Sequence, residues 1–247
     1  MVQNKTIIIT GASSGIGKEI AIHLSKLGAN CVLIGRSAER LEKVKSECIS
    51  PALAISTDLQ DFENYEEIVQ NAVQAFGPIY GFVHSAGIEQ TILLPQIKVE
   101  GLREIFNINV FSAIEFIKII NKKKYKDEKQ SFVLVSSIMG VVGNKGLVSY
   151  SATKGAIISM VKSMALELAS KNTRVNAVSP GHISDSEMSQ KKEEYLSDEA
   201  VIAIEKNHPL GLGKCLDIAK ATSFLLSEDS SWITGQNIII DGGYSIQ

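Results

Sequence analysis

IIITGASSGIGKEI, residues 7–20, runs four apolar or β-branched residues into three glycines and then into a helix-forming stretch. A short β-branched run of this kind suits a parallel strand buried on both faces. Gly11, Gly15 and Gly17 suit the turn that follows. Glycines there allow a tight bend, close backbone approach to a pyrophosphate, and close packing of the helix on its strand. The spacing G-x-x-x-G-x-G departs from the common G-x-G-x-x-G. Because the turn joins the first strand of an alternating series to its helix, dinucleotide binding is the better reading. Ser13, Ser14 and Ile16 lie on the same turn and are assigned to the cofactor with the glycines.

The alternation continues outward from this stretch. VLIG (32–35), ALAIST (52–57), YGFVHSA (80–86), FVLVSS (132–137), VNAVSP (175–180) and IIID (238–241) read as further strands. Helical patterns fall between them, near 15–28, 38–48, 62–76, 98–122, 149–171 and 215–227. Asp61 and Asp217 mark helix starts, and Gly28, Gly77 and Gly101 mark boundaries. Strands alternating with helices imply right-handed crossovers and a Rossmann-type, doubly wound α/β sheet. Without a repeat or linker, the 247 residues read as one domain.

Composition narrows the function classes. A net charge of −2 favours neither nucleic acid nor an anionic membrane surface. Cys31, Cys48 and Cys215 form no C-x-x-C pair and read as buried thiols of a reducing compartment. No apolar run approaches the ~20 residues of a membrane span, and the amino terminus lacks a signal-like core. These features predict a cytoplasmic protein with no metal site. In 98–122 and 149–171, apolar and small residues spread over more than one stripe. A helix of that kind needs cover on a second side, which predicts an interface between subunits.

The end of the second strand reports on the adenosine ribose. A carboxylate there would accept from the 2′-hydroxyl of NAD. This chain has Gly35, Arg36 and Ser37. A guanidinium beside a small hydroxyl residue suits a 2′-phosphate, which predicts NADP(H) over NAD(H). Asp58, after the third strand, is either a partner for the adenine edge or a cap.

Two stretches share the spacing Tyr-x-x-x-Lys: YKDEK (125–129) and YSATK (150–154). The six tyrosines and 21 lysines (25 basic residues less four arginines) give about 0.5 chance matches, so context must choose. Tyr125 lies in a charged segment predicted to be a loop, with nothing nearby to hold a substrate. Tyr150 opens a helix, which places Lys154 on its face. Upstream, FVLVSS ends a strand with Ser136 and Ser137, at the edge where such sheets bind ligands. Reduction of a carbonyl by hydride leaves an alkoxide that needs a proton. Tyr150 could supply it if a nearby ammonium drew its pKa down from about 10. Ser137 would polarise the substrate oxygen.

These motifs, in order along nearly the whole chain, resemble the short-chain dehydrogenase/reductase family. The matching stretches are TGASSGIG (10–17), Asp58-Leu59, the Ala86-Gly87 of HSAGI, NINV (107–110), VSSIMG (135–140), YSATKGA (150–156), RVNAVSPG (174–181) and ITGQNIIIDGG (233–243). The resemblance implies a seven-stranded sheet and a tetramer built through the two apolar helices. It implies a catalytic tetrad of Asn109, Ser137, Tyr150 and Lys154. Asn109 would bend its helix and hold a water, and Lys154 would also bind the nicotinamide ribose. Cofactor contacts are implied at Asp58, Leu59, Ala86, Gly87, Pro180, Gly181 and Ile183.

The chain departs from the family pattern at two places. His84-Ser85 stands where Asn-Asn is usual, so His84 either keeps a hydrogen-bonding role or joins catalysis. After Pro180-Gly181 the usual Ile-x-Thr is replaced, leaving Asp185 or Ser186 for the carboxamide contact. Residues 182–208 are polar and lack a strand pattern, which predicts a substrate lid. The substrate is expected to be a small carbonyl or alcohol, with 3-oxoacyl thioesters nearest in general look. Lys122, Lys123, Lys124 and Lys171 would be available to an acidic acyl carrier. The alternatives are an NAD-dependent alcohol or sugar dehydrogenase, and a non-catalytic NADP(H) sensor or assembly subunit.

Overall fold

The computed structural model describes residues 2–193 and 197–246. Seven parallel strands form one sheet in the order β3-β2-β1-β4-β5-β6-β7. They are β1 (Thr6–Thr10), β2 (Asn30–Gly35), β3 (Ala52–Ser56), β4 (Ile79–His84), β5 (Lys126–Val135), β6 (Thr173–Pro180) and β7 (Asn237–Ile240). The winding direction reverses between β1 and β4, and ligands of open α/β sheets bind at such a switch point.

Alternation along each strand divides the core in two. Ile7, Ile9, Leu33 and Val133 face α1 (Gly15–Lys26) and α9 (Cys215–Leu226), meeting Ile20, Leu24, Ile218 and Leu225. Ile8, Val32, Phe82 and Phe132 face the other way, toward α3 (Tyr65–Phe76), α5 (Ser112–Ile120) and α6 (Val148–Ala169). There Tyr65 stacks on Phe116 with centroids 3.9 Å apart. Strands apolar on both faces are what a sheet covered on both sides requires. The remaining helices are α2 (Ala38–Glu47), α4 (Val99–Phe106), α7 (Glu187–Glu193) and α8 (Asp198–Lys206).

Four expectations change. The helix of 98–122 is α4 and α5 joined by a π-helical segment, Asn107–Phe111, and Gly101 lies inside α4 rather than at a boundary. In α6, Tyr150, Lys154, Ile157, Val161, Ala165 and Leu168 form the buried stripe, and apolar Val148 and Leu166 (83% exposed) stand outside it, as the spread of apolar residues predicted. The segment 182–208 carries α7 and α8 rather than irregular chain, and residues 194–196 of the expected lid lie outside the described residues.

The segment read as a charged loop is the start of β5, and Tyr125 just before it is buried. Its hydroxyl donates to Glu66 Oε1 (2.9 Å) and accepts from Gln70 Nε2 (3.0 Å). Lys129 is exposed, 3.4 Å from Glu228. Tyr125 is therefore a satisfied packing residue. Lys122 and Lys124 grip the same Glu66 at 2.6 and 2.9 Å.

Candidate active site

At the carboxyl ends of β1, β4, β5 and β6 lies a cavity of about 490 Å³. The six predicted residues of the first turn line it: Gly11, Ser13, Ser14, Gly15, Ile16 and Gly17. Gly11 and Gly15 have φ of 69° and 52°, a region that favours glycine. A Cβ on Gly11 would fall 2.7 Å from the Ala86 amide nitrogen, and one on Gly17 would overlap the Gly11 carbonyl. The turn is thus packed between the ends of β1 and β4. Ser14 is the N-cap of α1, yet its hydroxyl makes no capping bond. An uncapped helix start at the floor of a cleft presents backbone donors suited to phosphate, so these residues fit a dinucleotide.

Arg36, Asp58, Leu59, Ala86, Gly87, Pro180, Gly181 and Ile183 also line the cavity. Ser37 is not among its lining residues; its hydroxyl caps α2 by accepting from Arg40 N at 3.3 Å. Asp58 lines the cavity, and its Oδ1 accepts from Gln60 N (2.9 Å) in a local turn ahead of the helix. Of the two candidates for the carboxamide contact, Ser186 lines the cleft, whereas Asp185 accepts from Cys215 N (2.8 Å) at the start of α9.

Ser137, Tyr150 and Lys154 meet at the inner end of the cavity. Ser136 donates to the Lys154 carbonyl (2.8 Å) and ties β5 to α6. Ser137 accepts from Met139 N (3.2 Å), and its hydroxyl is hydrogen-bonded to Tyr150. Lys154 Nζ donates to the Val135 carbonyl (2.9 Å) and lies 5.5 Å from the centre of the Tyr150 ring. Asn109 is fully buried in the π segment and lies behind the cavity wall. Its Oδ1 accepts from Ile88 N (2.9 Å), and its Nδ2 donates to Ile88 O and Thr153 Oγ1 (both 3.0 Å).

The electrostatics run opposite to the expected direction at Tyr150. Burial pushes the phenol's pKa up, the Glu89 carboxylate adds to the rise, and a hydrogen bond with Ser137 opposes it. Burial also lowers Lys154 to about 8, with Glu89 pulling it back up. Desolvation outweighs the pairing that the four-residue spacing suggested.

His84 is fully buried and absent from the cavity wall. Its Nδ1 is 2.9 Å from Thr10 Oγ1 and its Nε2 3.4 Å from Ser112 Oγ. Burial, and then the charge of Lys154, drive its pKa to about 3. It is a neutral framework residue.

Sequence reasoning missed Glu89, Glu187, His182, His208 and Tyr244, all on the cavity wall. His208 donates through Nδ1 to Ile204 O (2.7 Å) and accepts at Nε2 from His182 N (3.2 Å). No spacing signal marks these residues, because folding brings them from separate loops and helices.

Residues 11–245 match the profile of a family described as enoyl-(acyl carrier protein) reductase. Among curated proteins, the 3-oxoacyl-[acyl-carrier-protein] reductase of Thermotoga maritima is 36% identical over 251 residues, covering 99% of each chain. That of Staphylococcus aureus is 33% identical, covering 98% of this chain and 99% of its own. Two crystal structures superpose closely. One is a short-chain type dehydrogenase/reductase from Mycobacterium marinum, with TM-score 0.89 and 27% identity over 100% of this chain and 97% of the other. The second, from Sinorhizobium meliloti, is described as a short-chain alcohol dehydrogenase, with TM-score 0.92 and 26% identity over 98% and 96%. With the glycine turn, the switch-point cavity and the Ser137–Tyr150–Lys154 cluster in one place, the chain is an oxidoreductase and belongs to the short-chain dehydrogenase/reductase family.

Proposed function

We propose that the protein reduces a 3-oxoacyl thioester to the 3-hydroxyacyl thioester with NADPH. The observation that carries this reading is the continuity of one cavity from the glycine turn to Tyr150, Ser137 and Lys154. When bound, the dinucleotide supplies the hydride. The chain's own residues handle the oxygen. The Ser137 hydroxyl donates to the carbonyl oxygen and strengthens that bond as negative charge grows. Tyr150 then gives its proton to the alkoxide. A raised pKa suits this direction, because the phenol stays loaded with its proton at neutral pH. Lys154, charged below about pH 8, stabilises the phenolate left behind. Asn109 holds the chain around Ile88 so that this corner keeps its shape.

The family description names an enoyl reductase, whereas the full-length relatives are 3-oxoacyl reductases. We favour the carbonyl, because two hydroxyl donors on one wall match an oxygen that turns into an alkoxide. Exposed Arg36 beside the glycine turn supports NADPH through a 2′-phosphate contact. An acidic acyl carrier would have to loosen the hold of Lys122 and Lys124 on Glu66 if it docked there. We further read α7 and α8 as the substrate arm. Exposed Val99, Phe111, Val148 and Leu166 support assembly, as a homotetramer, through the α4–α5 and α6 faces. The free thiols suit the cytoplasm. Among the described residues, no helix is long and apolar enough to cross a membrane.

The test is nicotinamide oxidation against 3-oxoacyl thioesters, enoyl thioesters, simple ketones and sugars, with NADPH and NADH. Turnover of the 3-oxoacyl thioester with NADPH is expected. Arg36→Ala should weaken NADPH binding about tenfold, roughly one charge-assisted contact, and leave NADH unchanged. Turnover of only enoyl thioesters, or equal loss for both cofactors, would overturn the respective part.

A further inference from the structure

We propose that Glu187 sets the affinity for the dinucleotide, its carboxylate competing with a phosphate for Arg40 and Ser14 above the glycine turn. The proposal rests on the reading of the cleft as a dinucleotide site. Glu187 opens α7, and Arg40 lies 147 residues earlier on α2. Arg40 Nη1 reaches both carboxylate oxygens at 3.1 Å. Lys191 Nζ approaches Oε1 at 2.7 Å, and the Ser14 hydroxyl adds a further bond. A Cβ placed on Gly15 would lie only 3.7 Å from the Glu187 amide nitrogen, so α7 begins directly over the phosphate turn.

The location makes this pairing more than a surface contact. Glu187, Ser13, Ser14 and Arg36 line both the main cavity and the adjoining recess that holds Arg40 and Lys191. A guanidinium, an ammonium and a serine hydroxyl are the groups that recognise phosphate, and here they converge on a carboxylate. These partners hold the Glu187 carboxyl down at about 2, so it is ionised wherever the protein is folded near neutrality. The Arg40 and Lys191 side chains are 56% and 67% exposed, so the bridge is weak enough to be exchanged for a phosphate. Binding is then weakened by the reciprocal of the fraction of molecules in which the bridge is open.

Calorimetric titration with NADPH and NADH tests this on wild type, Glu187→Gln and Glu187→Ala. Amide hydrogen exchange across 187–193 in cofactor-free protein, with Arg40→Ala added, reports the bridge separately. Both Glu187 variants should bind NADPH about three- to tenfold more tightly, a penalty removed. The α7 amides should exchange faster in these variants and in Arg40→Ala. Unchanged or weaker NADPH binding in both Glu187 variants would overturn the proposal, as would unchanged exchange. If wild type bound neither dinucleotide, the reading of the cleft would fall first, and the proposal with it.

Discussion

Asn109 holds both backbone groups of Ile88 with one side-chain amide, accepting from its N–H at 2.9 Å and donating to its carbonyl at 3.0 Å. The same Nδ2 reaches Thr153 on α6. The chain leaving β4 through Ala86 and Gly87 is thereby tied to the π segment and to the helix that carries Tyr150 and Lys154. Asn109→Ala would leave Ile88's N–H and carbonyl without these partners. We expect a loss of about 2–3 kcal/mol, read from urea unfolding. Carbonyl reduction should fall as well, because Ile88 and Thr153, the neighbours of Gly87 and Lys154, lose their common anchor.

Lys154 is a buried ammonium held at a cost to stability. Its folded pKa, about 8, lies below the unfolded 10.5. Between these values the unfolded chain holds more protons, so this group's contribution to stability rises with pH across that window. At pH 7 the buried ammonium is a cost. Lys154→Met should therefore raise stability by about 1–3 kcal/mol at pH 7 while abolishing most reduction. In wild type, reduction should decline as pH rises through about 8 and the ammonium is lost. A melting-temperature comparison and a pH–rate profile check both parts.

His84 couples β1, β4 and the π segment through a directional chain. Ala86 N donates to Thr10 Oγ1, Thr10 donates to His84 Nδ1, and His84 Nε2 donates to Ser112, which donates to Ile108 O. Protonating Nδ1 would break that order. The folded pKa of about 3 lies below the unfolded 6.5, so stability is lost as pH falls from 6.5 toward 3. By pH 5 the loss should be about 2 kcal/mol. His84→Asn should remove this acid sensitivity, measured as the difference in unfolding free energy between pH 7 and pH 5.

The sheet was legible because its strands are short β-branched runs separated by helical periodicity, and buried parallel strands have few other compositions. Tyr150 and Lys154 were legible because their relation is local, one helical turn. The start of β5 was not, because Lys126–Lys129 lie at the strand's polar, partly exposed beginning, where apolar patterning is absent. Glu89 and Glu187 were not legible either, since their effects depend on loops and helices distant in sequence. The direction of the Tyr150 shift was misread for a related reason. Spacing reveals a neighbouring charge, but not the burial that outweighs it.

The most direct measurement is single-turnover oxidation of NADPH with a 3-oxoacyl thioester, comparing wild type with Tyr150→Phe, alongside NADPH affinity by fluorescence titration. We expect affinity to be retained and the rate to fall by about 10²–10⁴, the usual contribution of a positioned general acid. A Tyr150→Phe protein that binds NADPH normally and still reduces the thioester at near the wild-type rate would contradict the account.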